Sequence, residues 1–194
     1  MKRIQVTLTG ITPLLHHRMP EEDVMALLGS KTVKKKEKEI KTPREIAQRH
    51  AYVSTDGQFC IPSSYLSGAL ISVASDYKQK NSAKKSLKGV IAGVVVPETE
   101  FAMLTDEKGQ AIKDFEVDIK KGTNHRAGAV AICRPRFDKW QTSIVIRLNE
   151  DLVSMETLHN LLNDAGTRSG IGSFRVQKGG YYGQFQVREF KELT

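Results

Sequence analysis

The sequence predicts an α+β domain. Three observations predict it. Short stretches alternate polar and apolar residues with period two, as half-buried strands do. Two longer stretches carry apolar residues at helical spacing. The two kinds of segment interleave along the chain, which suits a ferredoxin-like β-α-β-β-α-β core: an antiparallel sheet, two main helices and loop insertions. At 194 residues a single domain accounts for the whole chain, and that length can bury a core without disulfide staples.

Each element has a local reason. In "RIQVTLT", residues 3–9, Ile4, Val6 and Leu8 share one face, with Arg3, Gln5, Thr7 and Thr9 on the other. Gly10 and Pro13 break this strand. "EEDVMALLGS" predicts a short helix ending near Gly29. A charged insertion of about 30–45 reads as a solvated helix, a mobile insertion or a lysine-rich finger. Asp56-Gly57 is a turn signal, and "QFCI" a short strand after it. Ser63 or Ser64 is positioned to cap the next helix. Its stripe is Leu66, Ala69, Leu70, Val73, Ala74 and Tyr77.

The second half follows the same logic. "KQKNSAKKSLKG" holds five lysines and no acid. "VIAGVVVPE" is a continuous apolar run and predicts a buried strand. A projecting hairpin is expected over about 103–130, with Glu107, Lys108 and Gly109 at its tip. "KWQTSIVIRL" sets Trp140, Thr142, Ile144, Ile146 and Leu148 on one face. "SMETLHNLLNDAG" predicts a second helix, with Ser154 at its cap, Leu158, Leu161 and Leu162 inward, and Gly166 at its end. The segment "GTRSGIGSFRVQKGGYYG", residues 166–183, reads as a flexible glycine-rich loop, and "YGQFQVREF" closes the chain as a strand.

The formal net charge is +8 and the isoelectric point about 9.5, which favours polyanionic partners, nucleic acid first. Cys60 and Cys133 sit among apolar residues and read as small buried thiols in a reducing cytoplasm. The first ten residues alternate like a strand and lack the apolar core of a signal peptide, and nothing is long enough to span a membrane.

The candidate binding residues cluster by type. The glycine loop has neither P-loop nor dinucleotide-fold spacing. Its glycines would let backbone approach a phosphate chain. Arg168, Arg175 and Lys178 would supply charge, and Phe174, Tyr181 and Tyr182 would stack on bases. Lys84, Lys85 and Lys88 form a second basic stretch. In "NHRAGAVAICRPRF", His125, Arg126, Arg134 and Arg136 add cations, with Arg134 and Arg136 on one strand face. Either an acid such as Asp138 or Glu116, or a phosphate, must sit between those two guanidiniums. His16 and His17 are the only candidates for catalysis, as acid and base in RNA cleavage. No metal-ligand spacing occurs and no cofactor is expected.

Three stretches carry a resemblance: "TGITPLLHHR", "IPSSYLSGALISVA", and "RPRFDKW" with the glycine loop. Together they are similar to a family of small phage and prophage proteins of unassigned function. They also resemble the RAMP proteins of CRISPR systems through Ile61, Pro62, Ser63, Ser64, Leu66, Gly68, Ala69 and Leu70, then Gly170 to Gly183. Ile171 and Val176 depart from the phage family's leucine and proline. The resemblance implies an RRM-like, ferredoxin-like core that coats single-stranded nucleic acid as a homo-oligomer or filament. DNA is favoured over RNA because of the phage likeness. It also implies two alternatives: a metal-independent endoribonuclease using His16 or His17, and a phage assembly protein.

Overall fold

The computed structural model of the chain describes residues 1–29, 41–123 and 128–194. Most of the charged insertion, and both His125 and Arg126, lie outside the described residues. In chain order the strands are β1 (Lys2–Gly10), β2 (Leu14–Leu15), β3 (Cys60–Pro62), β4 (Val95–Pro97), β5 (Phe101–Thr105), β6 (Glu116–Thr123), β7 (Ala129–Phe137), β8 (Gln141–Leu148) and β9 (Phe185–Leu193). The helices are α1 (Glu21–Leu27), α2 (Pro43–Arg49), α3 (Ser64–Val73), α4 (Ile91–Val94) and α5 (Met155–Asp164). The fold is α+β with antiparallel sheets.

The main sheet runs β3-β5-β8-β1-β9, and β4 also pairs with β8. Cross-strand partners Ile4 and Ile146, Val6 and Ile144, and Leu8 and Thr142 form its inner face. Leu66, Ala69, Leu70 and Val73 of α3 and Leu158, Leu161 and Leu162 of α5 pack on that face in one core. Burying one such leucine stabilises the fold by roughly 1.5–3 kcal/mol. The outer face is polar: Arg3 makes two hydrogen bonds to Glu98, and Gln5 donates to Ser143. The period-two and period-3.6 stripes therefore fall where the sequence puts them.

A second sheet, β2-β7-β6, stacks beside the first and was not legible beforehand. β2 continues from β1 after only Ile11, Thr12 and Pro13, so the two sheets share one stretch of chain. Phe137 of β7 meets Phe59 at 5.2 Å and Phe115 at 6.4 Å, closing the core between them. α2 covers this side, started by a capping box in which Thr42 and Glu45 bond each other's backbone.

Three expectations change. The apolar run 90–97 is split: Ile91–Val94 make one helical turn and only Val95–Pro97 are strand. The tight turn at Asp106–Gln110 forms, but β5 does not pair with β6. β6 leaves for the second sheet, so the hairpin is β6–β7. Ser63 makes no side-chain cap bond, because its own backbone is already helical.

Helix α5 does not stop at Gly166. It continues into a wider π turn over Ala165–Ser169. A Cβ at Gly166 would overlap the Phe185 carbonyl oxygen, so glycine serves there as a site of backbone contact. Gly166→Ala should cost about 1–3 kcal/mol through overpacking. Gly68→Ala, with no atom near the added methyl, should gain about 0.5–1 kcal/mol in α3. Thermal melts of the two variants should give opposite shifts.

Candidate nucleic-acid interface

The loop after α5 is bound in place by backbone hydrogen bonds. Ile171 N–H donates to Gly183 O at 2.9 Å, Gly183 N–H to Pro13 O at 2.8 Å, and Ser173 N–H to Leu15 O at 2.9 Å. These bonds stitch the loop to the link between the sheets. Gly183 has φ +71°, and a Cβ there would overlap Ile171 O. Phe174, at φ +50°, is the one non-glycine residue with positive φ among the described residues. That is a strained conformation for an aromatic side chain. The loop holds Tyr181 56% exposed and Phe174 41% exposed, while Tyr182 is 4% exposed.

These rings lie beside one face of the second sheet. The β6–β7 register places Glu116 opposite Arg136, Asp118 opposite Arg134, and Lys120 opposite Ile132. The Tyr182 hydroxyl donates to Asp118 Oδ1 at 3.2 Å. Lys120 Nζ lies 4.4 Å from the Tyr182 ring centroid and 4.5 Å from that of Phe174. It is also 4.0 Å from Asp118 Oδ1. The Tyr181 ring centroid is 4.3 Å from that of Tyr182. A hydrogen bond with Tyr182 raises the pKa of the Tyr181 hydroxyl.

The two arginines of β7 differ. Arg136 binds Asp138 through two bonds, at 2.6 and 2.9 Å, so the nearby acid is the observed answer for it. The Asp138 carboxyl is held below its ordinary pKa by that pairing. Arg134 is 9% exposed, its Nε has no hydrogen-bond partner, and no ion pair to it occurs among the described residues. Asp118 Oδ2, across the strand pair, is likewise buried and unpartnered. Lys120 and Asp118 were missed by sequence reading. The signal for them was the hairpin register, which the β5–β6 expectation concealed.

The other expected residues are spread out. Arg175 bonds Gln177 Oε1 at 3.0 Å and Gly172 O at 3.4 Å, within the loop. Lys178 is exposed. Arg168 is taken by Asp76 at 2.7 Å and Asp164 at 3.6 Å. Lys84, Lys85 and Lys88 are exposed on a segment anchored elsewhere: Lys80 N–H donates to Leu152 O, and Asn81 to Asp151 O. Those anchors lie beyond the Leu148 end of β8. The loop sits by the Gln141 end, where Gly10 and Ile11 bond Trp140 and Gln184. Eight strand residues separate the two ends by roughly 24 Å. The lysine segment is thus anchored at one end of β8, and the backbone bonds of Gly183 and Gln184 lie at the other.

The two adjacent histidines have opposite environments. His16 is wholly buried between Tyr52 and Phe137, and its Nδ1 accepts the Tyr52 amide at 3.2 Å. Burial pushes its pKa from the ordinary 6.5 to about 3. A ring so placed neither reaches a substrate nor shuttles a proton near neutral pH. His17 is exposed and lies against His50, 4.9 Å between centroids. Partial burial, then Arg134 and His50, lower its pKa. Among the described residues no three His, Cys, Asp or Glu side chains are grouped to hold a metal ion, and no helix is long and apolar enough to cross a membrane. Cys60 and Cys133 are buried free thiols.

Compared with protein-family models and with curated proteins, the sequence matches none.

The buried histidine has a measurable consequence. Folded His16 stays neutral below pH 6.5 while the unfolded chain takes up the proton. Stability should therefore fall as pH drops from about 6.5 towards 3, by up to about 1.4 kcal/mol per unit from this residue. Urea unfolding at pH 7 and pH 5 should show a smaller difference for His16→Gln than for the wild type.

Proposed function

We propose that the chain is a ferredoxin-like, RAMP-like domain that binds single-stranded nucleic acid, DNA before RNA, through backbone charge and ring stacking. Copies would lie side by side along one strand, in the reducing cytoplasm. The fold reading rests on strand order: β5-β8-β1-β9, with α3 between β1 and the β4–β5 segment and α5 between β8 and β9, follows β-α-β-β-α-β connectivity.

The observation that carries the binding reading is the pair of exposed rings, Tyr181 and Phe174, held by a strained loop beside Lys120 and an arginine with no paired acid. Flat rings suit any base, because every base has a π face. Lys120, Arg134, Arg175 and Lys178 supply charge for phosphates, while Asp138 neutralises Arg136. Arg168 and the lysines at 84, 85 and 88 stand outside this interface.

Fluorescence anisotropy with labelled single-stranded 20-mers of DNA and RNA tests the reading. Affinity should fall steeply with salt, and Lys178→Ala should lower the log–log slope by about 0.7, as one phosphate contact is lost. Tyr181→Ala should weaken binding by about 1–3 kcal/mol with the melting temperature unchanged. A wild-type protein that shows no salt-dependent binding to either chemistry overturns the proposal and favours an assembly role.

A further inference from the structure

The start of α3 forms a second concave site, apart from the ring-bearing face. Ser63 N–H donates to Glu100 O at 2.8 Å, which draws the β4–β5 link across the helix start. The result is a cleft of about 490 Å³, within the range of about 300–1,000 Å³ typical of small-molecule sites. Tyr52, Pro97 and Phe101 give it apolar walls. Ser63 and Ser67, one helical turn apart, present hydroxyls on the same helix face. Ser63 is 2% exposed and its Oγ has no hydrogen-bond partner. A buried hydroxyl left unpaired costs stability that a ligand would recover.

The lining decides the ligand class. No lysine or arginine lines the cleft, and Glu100 is among its lining residues. A phosphate would meet that carboxylate with no cation to offset it. Flat apolar walls, hydroxyls that donate or accept, and one acceptor carboxylate suit a neutral planar heterocycle that carries N–H groups. The Tyr52 ring is 5.8 Å from Tyr65 and perpendicular to it. Burial raises the Tyr65 pKa, and Tyr52 raises it further, while the charge of Arg175 in the loop pulls it down.

We propose that this cleft receives one unstacked base of the bound strand, with Phe101 against its face, Ser63 Oγ on its edge and Glu100 accepting from an amino group. This rests on the nucleic-acid reading above. It predicts that adenine, cytosine and guanine, which carry an amino group, are preferred over thymine and uracil, which do not.

Full-length protein is titrated with oligo-dT and with the same oligomer carrying a central adenine, cytosine or guanine. The substituted strands should bind about 3- to 10-fold tighter, the size of one or two net hydrogen bonds. Ser63→Ala and Phe101→Ala should each remove that preference and leave the salt slope unchanged, and Phe101→Ala should also weaken oligo-dT, because its ring stacks on any base. Ser63→Ala loses no bond of the fold and removes an unpaired buried hydroxyl, so it should melt at or above the wild-type temperature. Adenosine alone should shift the amide NMR signals of residues 63–67 and 99–101, and inorganic phosphate should not. The proposal is overturned by equal affinity for all four strands, by a preference that survives both variants, or by shifts with phosphate in place of adenosine. A protein that binds no strand at all sinks the nucleic-acid reading, while the adenosine titration still judges the cleft.

Discussion

Main chain lies directly on main chain where the loop of residues 170–183 crosses the link between β1 and β2. The carbonyls of Pro13 and Leu15 receive amides from Gly183 and Ser173. No side chain fits between the strands at Gly183, and Gly166 beneath it faces the Phe185 carbonyl. This contact fixes how the second sheet sits against the first, since β2 leaves β1 at that point. It also fixes where the rings go. Tyr182 reaches Asp118 because its own backbone is pinned next to Gly183. Glycine is required there for proximity within the fold. The loop is a rigid crossing, although its composition resembles that of a flexible linker.

Rigidity of this kind lets a protein hold unfavourable groups in place. A buried charge without a partner costs several kcal/mol when isolated, and a positive φ at Phe174 adds strain. Arg134 and Asp118 offset part of their cost by facing each other across the β6–β7 pair, though neither unpartnered atom finds the other. Lys120 takes up the ring faces of Phe174 and Tyr182, a contact of about 0.5–2 kcal/mol depending on its hydration. Among the described residues, the unpartnered buried atoms that belong to charged side chains, Arg134 Nε and Asp118 Oδ2, both lie on this face, while those of His16, Ser63 and Ser169 lie elsewhere. A surface that must meet charge from outside has reason to keep its own charge unsatisfied.

Much of the fold was legible, and the reasons for the misses are specific. β1, β8, α3 and α5 each bury one stripe, so their periodicity states both their type and their inward face. The run 90–97 carries no period, and length alone did not reveal that its first half turns as a helix. Pairing is harder still, because alternation says that 116–123 is a strand and nothing about its neighbour. Once β6 was assigned to β5, Lys120 and Asp118 had no reason to be noticed. At the site, ring and charge types were legible in 168–182, but their fates were not. Burial of Tyr182 and the capture of Arg168 by Asp76 depend on segments more than sixty residues away. The separation of Lys84, Lys85 and Lys88 from the loop depends on sheet direction, which composition does not contain.

On the proposed reading, weak sequence preference and strong binding would be compatible on this surface, because their energies differ in scale. Stacking contributes about 1–3 kcal/mol per base and is indifferent to which base is stacked. Each neutralised phosphate adds a salt-dependent term that is equally indifferent. A cleft that reads one edge adds only the net of one or two hydrogen bonds, about 0.5–1.5 kcal/mol each. With two exposed rings and several cations, the indifferent contributions would exceed the selective one several-fold. Such a protein would bind any strand of sufficient length, and the cleft at the start of α3 would bias the position at which it settles. The separation is built into the architecture: the cations and rings stand on the second sheet and its loop, and the cleft lies between α3 and the β4–β5 link of the first.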